Sequence, residues 1–338
     1  MAEYNVDKAK EAIKQRLKNK VRKKRTMRYG GLAIAASVTL IIGTFLLKSD
    51  IGRPEVELEV SDVAPAPIQG GFNKAVLTLD NGNEVTLEKG KKYEAGKAKG
   101  NGDELVYTRE GKENDSENEP LYNYLTIPRG GQFFVQLSDG TQVWLNSESK
   151  LKYPVKFQDG KPREVELLYG EAYFKVSPST RHNGSKFHVL TKFQEVDVLG
   201  TEFNIKAYYE ESKIATTLVG GRIQIQKGDI AKILSPNQQS IIQSDTHAIT
   251  VQEVDVSREI SWVNGMFSFD EASLKEIMTV LSRWYDVEVV FESAEQQNFI
   301  FTGVVERSEA VGNILNLIEG TSAGHLKFEI QNRTIIIK

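Results

Sequence analysis

Nineteen consecutive uncharged residues, Tyr29 to Leu47, lie directly behind a dense run of positive charge and ahead of a long acidic remainder. At about 1.5 Å of rise per residue, a helix of that length matches the roughly 30 Å hydrocarbon core of a bilayer. Met1 to Arg28 holds eleven Lys/Arg against three Asp/Glu, a net +8; with the whole chain at −3, the residues from Tyr29 onward carry −11. Basic flanks stay on the cytoplasmic side. The reading is a single-pass protein with residues 1–28 inside, a transmembrane helix at 29–47 and the bulk outside. A cleaved signal peptide has a shorter apolar region, about 7–15 residues, closed by a small-residue cleavage site. Here the run ends Phe45-Leu46-Leu47-Lys48, so the anchor is expected to be retained. Gly31, Ala35, Thr39 and Gly43 recur every four positions, a spacing that lets two membrane helices approach closely.

Composition removes several functions. The chain has no cysteine, which excludes disulfides, thiol catalysis and Cys-ligated metal. The outer part is acidic, so nothing points to direct nucleic-acid binding. None of the four histidines, His182, His188, His247 and His325, sits in a metal-ligand spacing such as H-E-x-x-H. Glycine pairs at 70–71, 130–131 and 220–221 form neither a P-loop nor a dinucleotide fingerprint, and no G-x-S-x-G elbow is present. No catalytic, cofactor or metal site is expected, and the reading is a non-enzyme.

Five segments follow from pattern. Within residues 5–22, Val6, Ala9, Ile13, Leu17 and Val21 form a helical stripe amid Lys and Arg. That stripe fits a partner-binding helix or a basic helix lying on anionic lipid head groups. Residues 48–71, with Pro54, Pro65 and Pro67 and no period, read as an extended spacer. From Phe72 to Val256, short alternating runs broken by Gly, Asn, Asp and Pro predict an all-β domain. Within it, Leu77 to Leu87 and Val135 to Leu145 align at an offset of 58, each centred on an Asn-Gly or Asp-Gly hairpin turn. Residues 96–123 are polar and charged and read as a mobile surface insertion.

From Ile260 the pattern changes to a small α+β module, 260–338, in the order βαβ-βαββ. Strands are predicted at Trp262–Phe269, Val287–Phe291, Phe299–Val305, His325–Ile330 and Thr334–Ile337. One helix runs near Glu271–Tyr285, capped by Asp270 or by a Ser273–Glu276 capping box. A second is opened by Ser308 and ended by Gly320.

The β region carries a series of words in order: Thr126-Ile-Pro-Arg-Gly-Gly131, Gln136 to Asn146, Leu151 to Val155, Gly170 to Val176, Val196 to Tyr208, Thr217 to Ile223 and Pro236 to Gln239. Together they resemble the FecR family of membrane-spanning anti-sigma regulators, in the form abundant in Bacteroidetes. Trp262 to Phe269 and Leu281 to Val287 look like the family's C-terminal domain, which is similar to the short N-terminal domains of secretins and TonB-dependent transducers. The resemblance implies an inner-membrane protein with its C-terminal bulk in the periplasm. A TonB-dependent outer-membrane receptor binds a nutrient, often an iron–siderophore or glycan, and its signalling domain contacts this periplasmic part. The hold on a cytoplasmic extracytoplasmic-function sigma factor then changes.

Candidate partner-interaction residues are Val6, Ile13, Leu17 and Val21 inside, and Phe267, Phe269, Arg283, Trp284 and Tyr285 outside. Each of these aromatics reads as core or as interface, and Arg283 as interface or as a solvated charge. Family members carry a longer helical cytoplasmic domain than the 28 residues here, so outer sensing rests on more sequence than sigma binding does. The competing reading is an anchored glycan-binding or adhesion protein, with Trp144 as its aromatic platform.

Overall fold

A computed structural model describes residues 68–95, 98–107, 120–246 and 248–338. The basic stripe with Val6, Ile13, Leu17 and Val21, the predicted span and most of the spacer lie outside the described residues. Among the described residues, no helix is long and apolar enough to cross a membrane. The described residues are β-rich with few helices.

Strict alternation builds the β domain. Tyr122–Ile127 and Gly131–Gln136 each bury every second residue, which is what a pleated strand with one face on a core requires. The pairings form two layers. One runs, strand against strand, through Glu84–Glu88, Phe72–Thr78, Tyr122–Ile127, Ser149–Pro154, the first half of Arg163–Lys175, Phe187–Leu190, Glu195–Val198, Ile223–Lys227 and Ile230–Leu234. The other begins at Tyr93–Ala95 and passes through Ala98–Gly100, Glu104–Tyr107, Gly131–Gln136 and Gln142–Leu145 to the second half of Arg163–Lys175. It ends with Glu202–Ala207, Lys213–Gly220, Gln238–Gln243 and Ile249–Glu253. Their apolar faces share one core, in which Leu77, Leu125, Val135, Phe174 and Phe203 are fully enclosed.

The thirteen-residue strand Arg163–Lys175 belongs to both layers. It changes layer at Gly170, whose φ is +97° and whose absent Cβ would lie 2.4 Å from Ser149 Cα. Only glycine fits there, because both the dihedral and the space exclude a side chain.

The two sequence echoes fold identically at their turns. Leu79 N–H donates to Asn83 O at 2.8 Å and Leu137 N–H to Thr141 O at 2.8 Å, while Gly82 and Gly140 adopt φ near +83° and +84°. Asn81 and Asp139 each accept from the backbone two residues on. One hairpin lies in each layer, so the echo is a repeat placed across the core rather than along one sheet.

Part of the expected mobile insertion is instead structural. Ala98–Gly100 and Glu104–Tyr107 are strands, and Leu105 and Tyr107 are buried. Tyr107 accepts from Asn123 Nδ2 at 2.7 Å and lies 3.1 Å from the Tyr153 hydroxyl. Four residues of alternation, Glu104 to Tyr107, were hidden by the charged sequence that follows them. The end of the spacer is also held: Ile68 packs on the C-terminal core.

The C-terminal module runs strand Met266–Ser273, helix Leu274–Tyr285, strands Glu288–Phe291 and Ile300–Glu306, helix Val311–Thr321, and strands Phe328–Gln331 and Thr334–Ile337. It makes one two-stranded antiparallel sheet and one mixed three-stranded sheet. Leu274, Ile277, Met278, Leu281, Ile314, Leu315, Ile335 and Ile337 fill its core. Of the two caps the sequence offers, the Ser273–Glu276 box is the one formed, so the first helix begins at Leu274. Neither Ser308 nor Gly320 bounds the second helix, which begins after Ala310 and ends at Thr321. The first strand begins at Met266 because Ser261–Asn264 forms a 3-10 turn closed by Gly265 at φ +70°.

Candidate functional site

The β domain and the C-terminal module meet along a seam built largely from charged and amide side chains. At its centre lies Arg307, which follows the strand Ile300–Glu306 and is 3 % exposed. Arg307 Nη1 donates to Trp262 O at 3.1 Å and Nη2 to Asn146 Oδ1 at 2.9 Å. Asn146 Nδ2 and Asn204 Nδ2 donate to the two oxygens of Glu171 at 2.8 and 2.9 Å. Trp262 Nε1 donates to Asn204 Oδ1 at 3.2 Å, which closes the ring back to Trp262. The ring therefore links both bodies and the turn that joins them.

Among the described residues no carboxylate lies within ion-pair distance of Arg307. Its guanidinium stacks on Trp284 at 3.6 Å instead and faces Glu171 across Asn146. Burial pulls its pKa down to about 10, against the opposing pull of Tyr208 and Glu171. It stays charged at neutral pH.

Two further arginines complete the seam. Arg283, in the last turn of the helix Leu274–Tyr285, is 4 % exposed, which excludes its reading as a solvated charge. It stacks on Tyr208 at 3.6 Å and reaches Glu211 at 3.0 Å, Glu210 at 3.3 Å and Glu148 at 3.5 Å, all on the β domain. Burial alone would lower the Arg283 pKa, but Tyr208, Glu211 and Glu210 outweigh it and leave it raised. Glu148 sits at φ +60° and its carboxyl is pushed up by burial and by Glu210. From the other direction, Arg129 Nη2 donates to Ser282 O at 3.0 Å and Val287 O at 2.6 Å, and Gly130 N–H donates to Arg283 O at 2.7 Å. Gly130 of the β-domain turn thus caps Arg283 O, one of the carbonyls that the helix end leaves open. Arg129 adds a donor to Ser282 O, which the helix's own Asp286 and Val287 N–H groups already reach.

Beside the seam opens a cleft of about 740 Å³, whose lining includes Lys206, Tyr208, Glu259, Trp262, Phe269 and Thr279. The volume falls in the range of ligand pockets. Most of its charges already have partners: Lys206 pairs with Glu211 at 3.2 Å, Arg258 with Asp270, and Glu276 caps its own helix. Glu259 accepts from Gln239 Nε2 at 2.8 Å, and burial raises its pKa. Among the described residues no group of His and acidic side chains could hold a metal ion.

Of the outer candidates, Phe267, Trp284 and Tyr285 are buried in the module core with Arg283 at its seam, and Phe269 is half-buried beside the cleft. Phe267 and Phe269 stack with their centroids 6.1 Å apart. Phe267, Phe269, Arg283 and Trp284 also contribute to the lining of the cleft. Trp144 is half-buried between Phe134 and Tyr173 and packs with Ile260 and Trp262, so it forms no open platform.

Arg129, Asn146 and Tyr208 lay inside the distinctive words without being singled out, and Arg307, Glu210 and Glu211 lay outside them. The words themselves carried the signal. Thr126–Gly131, the Asn146 and Tyr208 ends of two others, and Trp262–Phe269 converge on this one seam, although they are distant in sequence.

Two family models match the chain: "FecR protein" over residues 123–224 and "FecR, C-terminal" over residues 266–337, together about half of its length. Two crystal structures of a candidate anti-sigma factor from Parabacteroides distasonis, at 1.65 and 2.50 Å, are similar at a TM-score of 0.57 and 26 % identity. Each match covers 64 % of this chain and 98 % of that one. No curated protein matches. With both matched regions meeting at a seam built from the words that carried the resemblance, the chain belongs to the FecR family.

Proposed function

We propose that this protein is a transmembrane anti-sigma regulator of the inner membrane. It relays a signal from a TonB-dependent outer-membrane receptor to an extracytoplasmic-function sigma factor in the cytoplasm. The family and the similar anti-sigma factor support the regulatory role. The observation that carries the relay is the coupling of the C-terminal module to the β domain through an arginine seam rather than an apolar one. Polar interdomain contacts exchange more readily than a shared core, so a partner can change them at modest cost. The receptor's signalling domain would dock on the module as an added strand. Phe328–Gln331 pairs only with Thr334–Ile337 among the described residues, and Ile330 on that strand is exposed. Inside the cell, the stripe Val6, Ile13, Leu17 and Val21 would hold the sigma factor, with the basic residues around it against anionic lipid.

The test is crosslinking and affinity capture of the full-length protein from native envelopes, with mass spectrometry of what is recovered. Recovery of both a sigma factor and a TonB-dependent receptor is expected. Receptor alone would point to an altered inner end. Neither, with surface glycan bound instead, would overturn the regulator reading.

A further inference from the structure

Four residues that read as the end of a featureless spacer thread between the two bodies of the protein. Ile68 O accepts from Val311 N–H at 3.1 Å. Val311 is the first residue of a helix whose N-cap, Ala310, offers no side-chain acceptor. Backbone from the spacer therefore satisfies one of the donors that every helix start leaves open. Gly70 and Gly71 then pass over the Trp284 ring. A Cβ on Gly70 would come 2.5 Å from Arg307 O and 2.7 Å from Trp284 Nε1, the two atoms that hydrogen-bond each other at 2.9 Å. A Cβ on Gly71 would come 2.8 Å from both Gly130 O and Trp284 Cε3. Phe72 N–H finally donates to Gly130 O at 3.2 Å, and Gly130 N–H is itself bonded to Arg283 O.

We propose that Ile68–Gly71 is a strap that couples the seating of the C-terminal module to the chain preceding it. The module cannot leave the β domain without freeing the strap, because Val311 and Trp284 of the module and Gly130 of the β domain all hold it. Equally, drawing the strap out removes the cap from the Val311 helix and the packing from Trp284. The strap precedes strand Phe72–Thr78 and follows the predicted membrane anchor, so unseating the module lengthens the free chain above the membrane. Its use in signalling rests on the relay proposed above; the coupling itself does not.

Native-state hydrogen exchange on the full-length protein, with no partner added, tests this. The amides of Val311, Phe72 and Gly130 should exchange through one shared opening that leaves Leu125 and Leu281 protected. Gly70→Ala should speed all three by about tenfold or more, the equivalent of losing one capping interaction and its packing, without changing Leu125 or Leu281. If Val311 instead exchanges only with the rest of its helix, or Gly70→Ala accelerates Val311 alone, the strap does not couple the two bodies. Should the variant not fold, the wild-type pattern decides by itself. Since neither receptor nor sigma factor is present, failure here leaves the relay standing, and failed partner capture leaves the strap standing.

Discussion

The interior of the β domain buries Arg163 and the centre of the seam beside it buries Arg307, and the two charges are balanced by different means. Arg283, elsewhere on the seam, keeps direct carboxylate partners. Inside the domain, Arg163 pairs with Asp139 at 2.7 Å, both side chains 2 % exposed, and also donates to Ser177 O and Ser185 O. At the seam, Arg307 has ring faces, a carbonyl and an amide, with Glu171 one residue removed. A direct buried pair has to be made once and kept, since separating it strands two charges in a poor dielectric. A charge spread over amides and an aromatic face can be undone in smaller steps. The contrast separates a part of the molecule built to stay closed from one suited to exchange.

Removing Asp139 should have the largest effect. Asp139→Ala leaves Arg163 buried and uncompensated, and also strips an acceptor from Thr141. A loss of about 3–5 kcal/mol is expected, read as a shift in the urea midpoint of the β domain. A loss below about 1 kcal/mol would erase the contrast. Arg307→Ala should cost about 1–3 kcal/mol by removing the fork that bridges the Trp262 carbonyl and Asn146 Oδ1 and the cation stacked on Trp284. Its distinguishing mark is location: amides at Gly130 and Val311 should lose protection while Leu125 keeps its own. Arg307→Lys should not restore the seam, because an ammonium cannot bridge two acceptors as a planar fork does.

Ser273→Ala removes the hydroxyl half of the capping box on the helix Leu274–Tyr285 and leaves the Glu276 carboxylate on the backbone N–H of residue 273. About 1 kcal/mol should be lost, confined to the C-terminal module. Equal loss in both bodies would mean they unfold as one cooperative unit, which would sharpen the comparison by merging its two sides.

The smallest effect concerns pH. The folded pKa of Glu259 is raised by burial, so its favourable contribution is fully present below the unfolded carboxyl value and fades as pH rises through the folded one. Glu259→Gln should therefore raise the melting temperature slightly at pH 7.5, with the gain vanishing below about pH 4.5, near the unfolded glutamate value. A gain that grows on acidification would reverse the assigned sign.

Much of the fold was legible wherever burial is one-sided. Val135 to Leu145 alternates because one face meets the core, and its Asp-Gly pair announces the turn. The helix Leu274–Tyr285 was visible from Leu274, Ile277, Met278 and Leu281 on one stripe. Legibility failed where structure depends on a distant partner. Ser308 and Gly320 were plausible helix ends by local chemistry, yet the Val311 helix is capped by Ile68, more than two hundred residues away. Likewise, four residues of strand at Glu104–Tyr107 owe their place to Tyr153 and Asn123 rather than to their own neighbourhood.

The candidate site divides along the same line. Phe267, Phe269, Arg283, Trp284 and Tyr285 were identifiable as a group, but whether each faced core, partner or water was not, since a helix stripe does not say what covers it. Sequence by itself determined the alternation of the strands, the paired hairpins, the helix faces and the resemblance, because these follow from local periodicity and ordered words. Tertiary structure alone decided that Arg307 would be buried without a carboxylate, that Arg129 and Gly130 would cap a helix in another body, and that two glycines would be pinned under Trp284. These depend on surfaces brought together from positions far apart in the chain, and no local pattern records the distance between them.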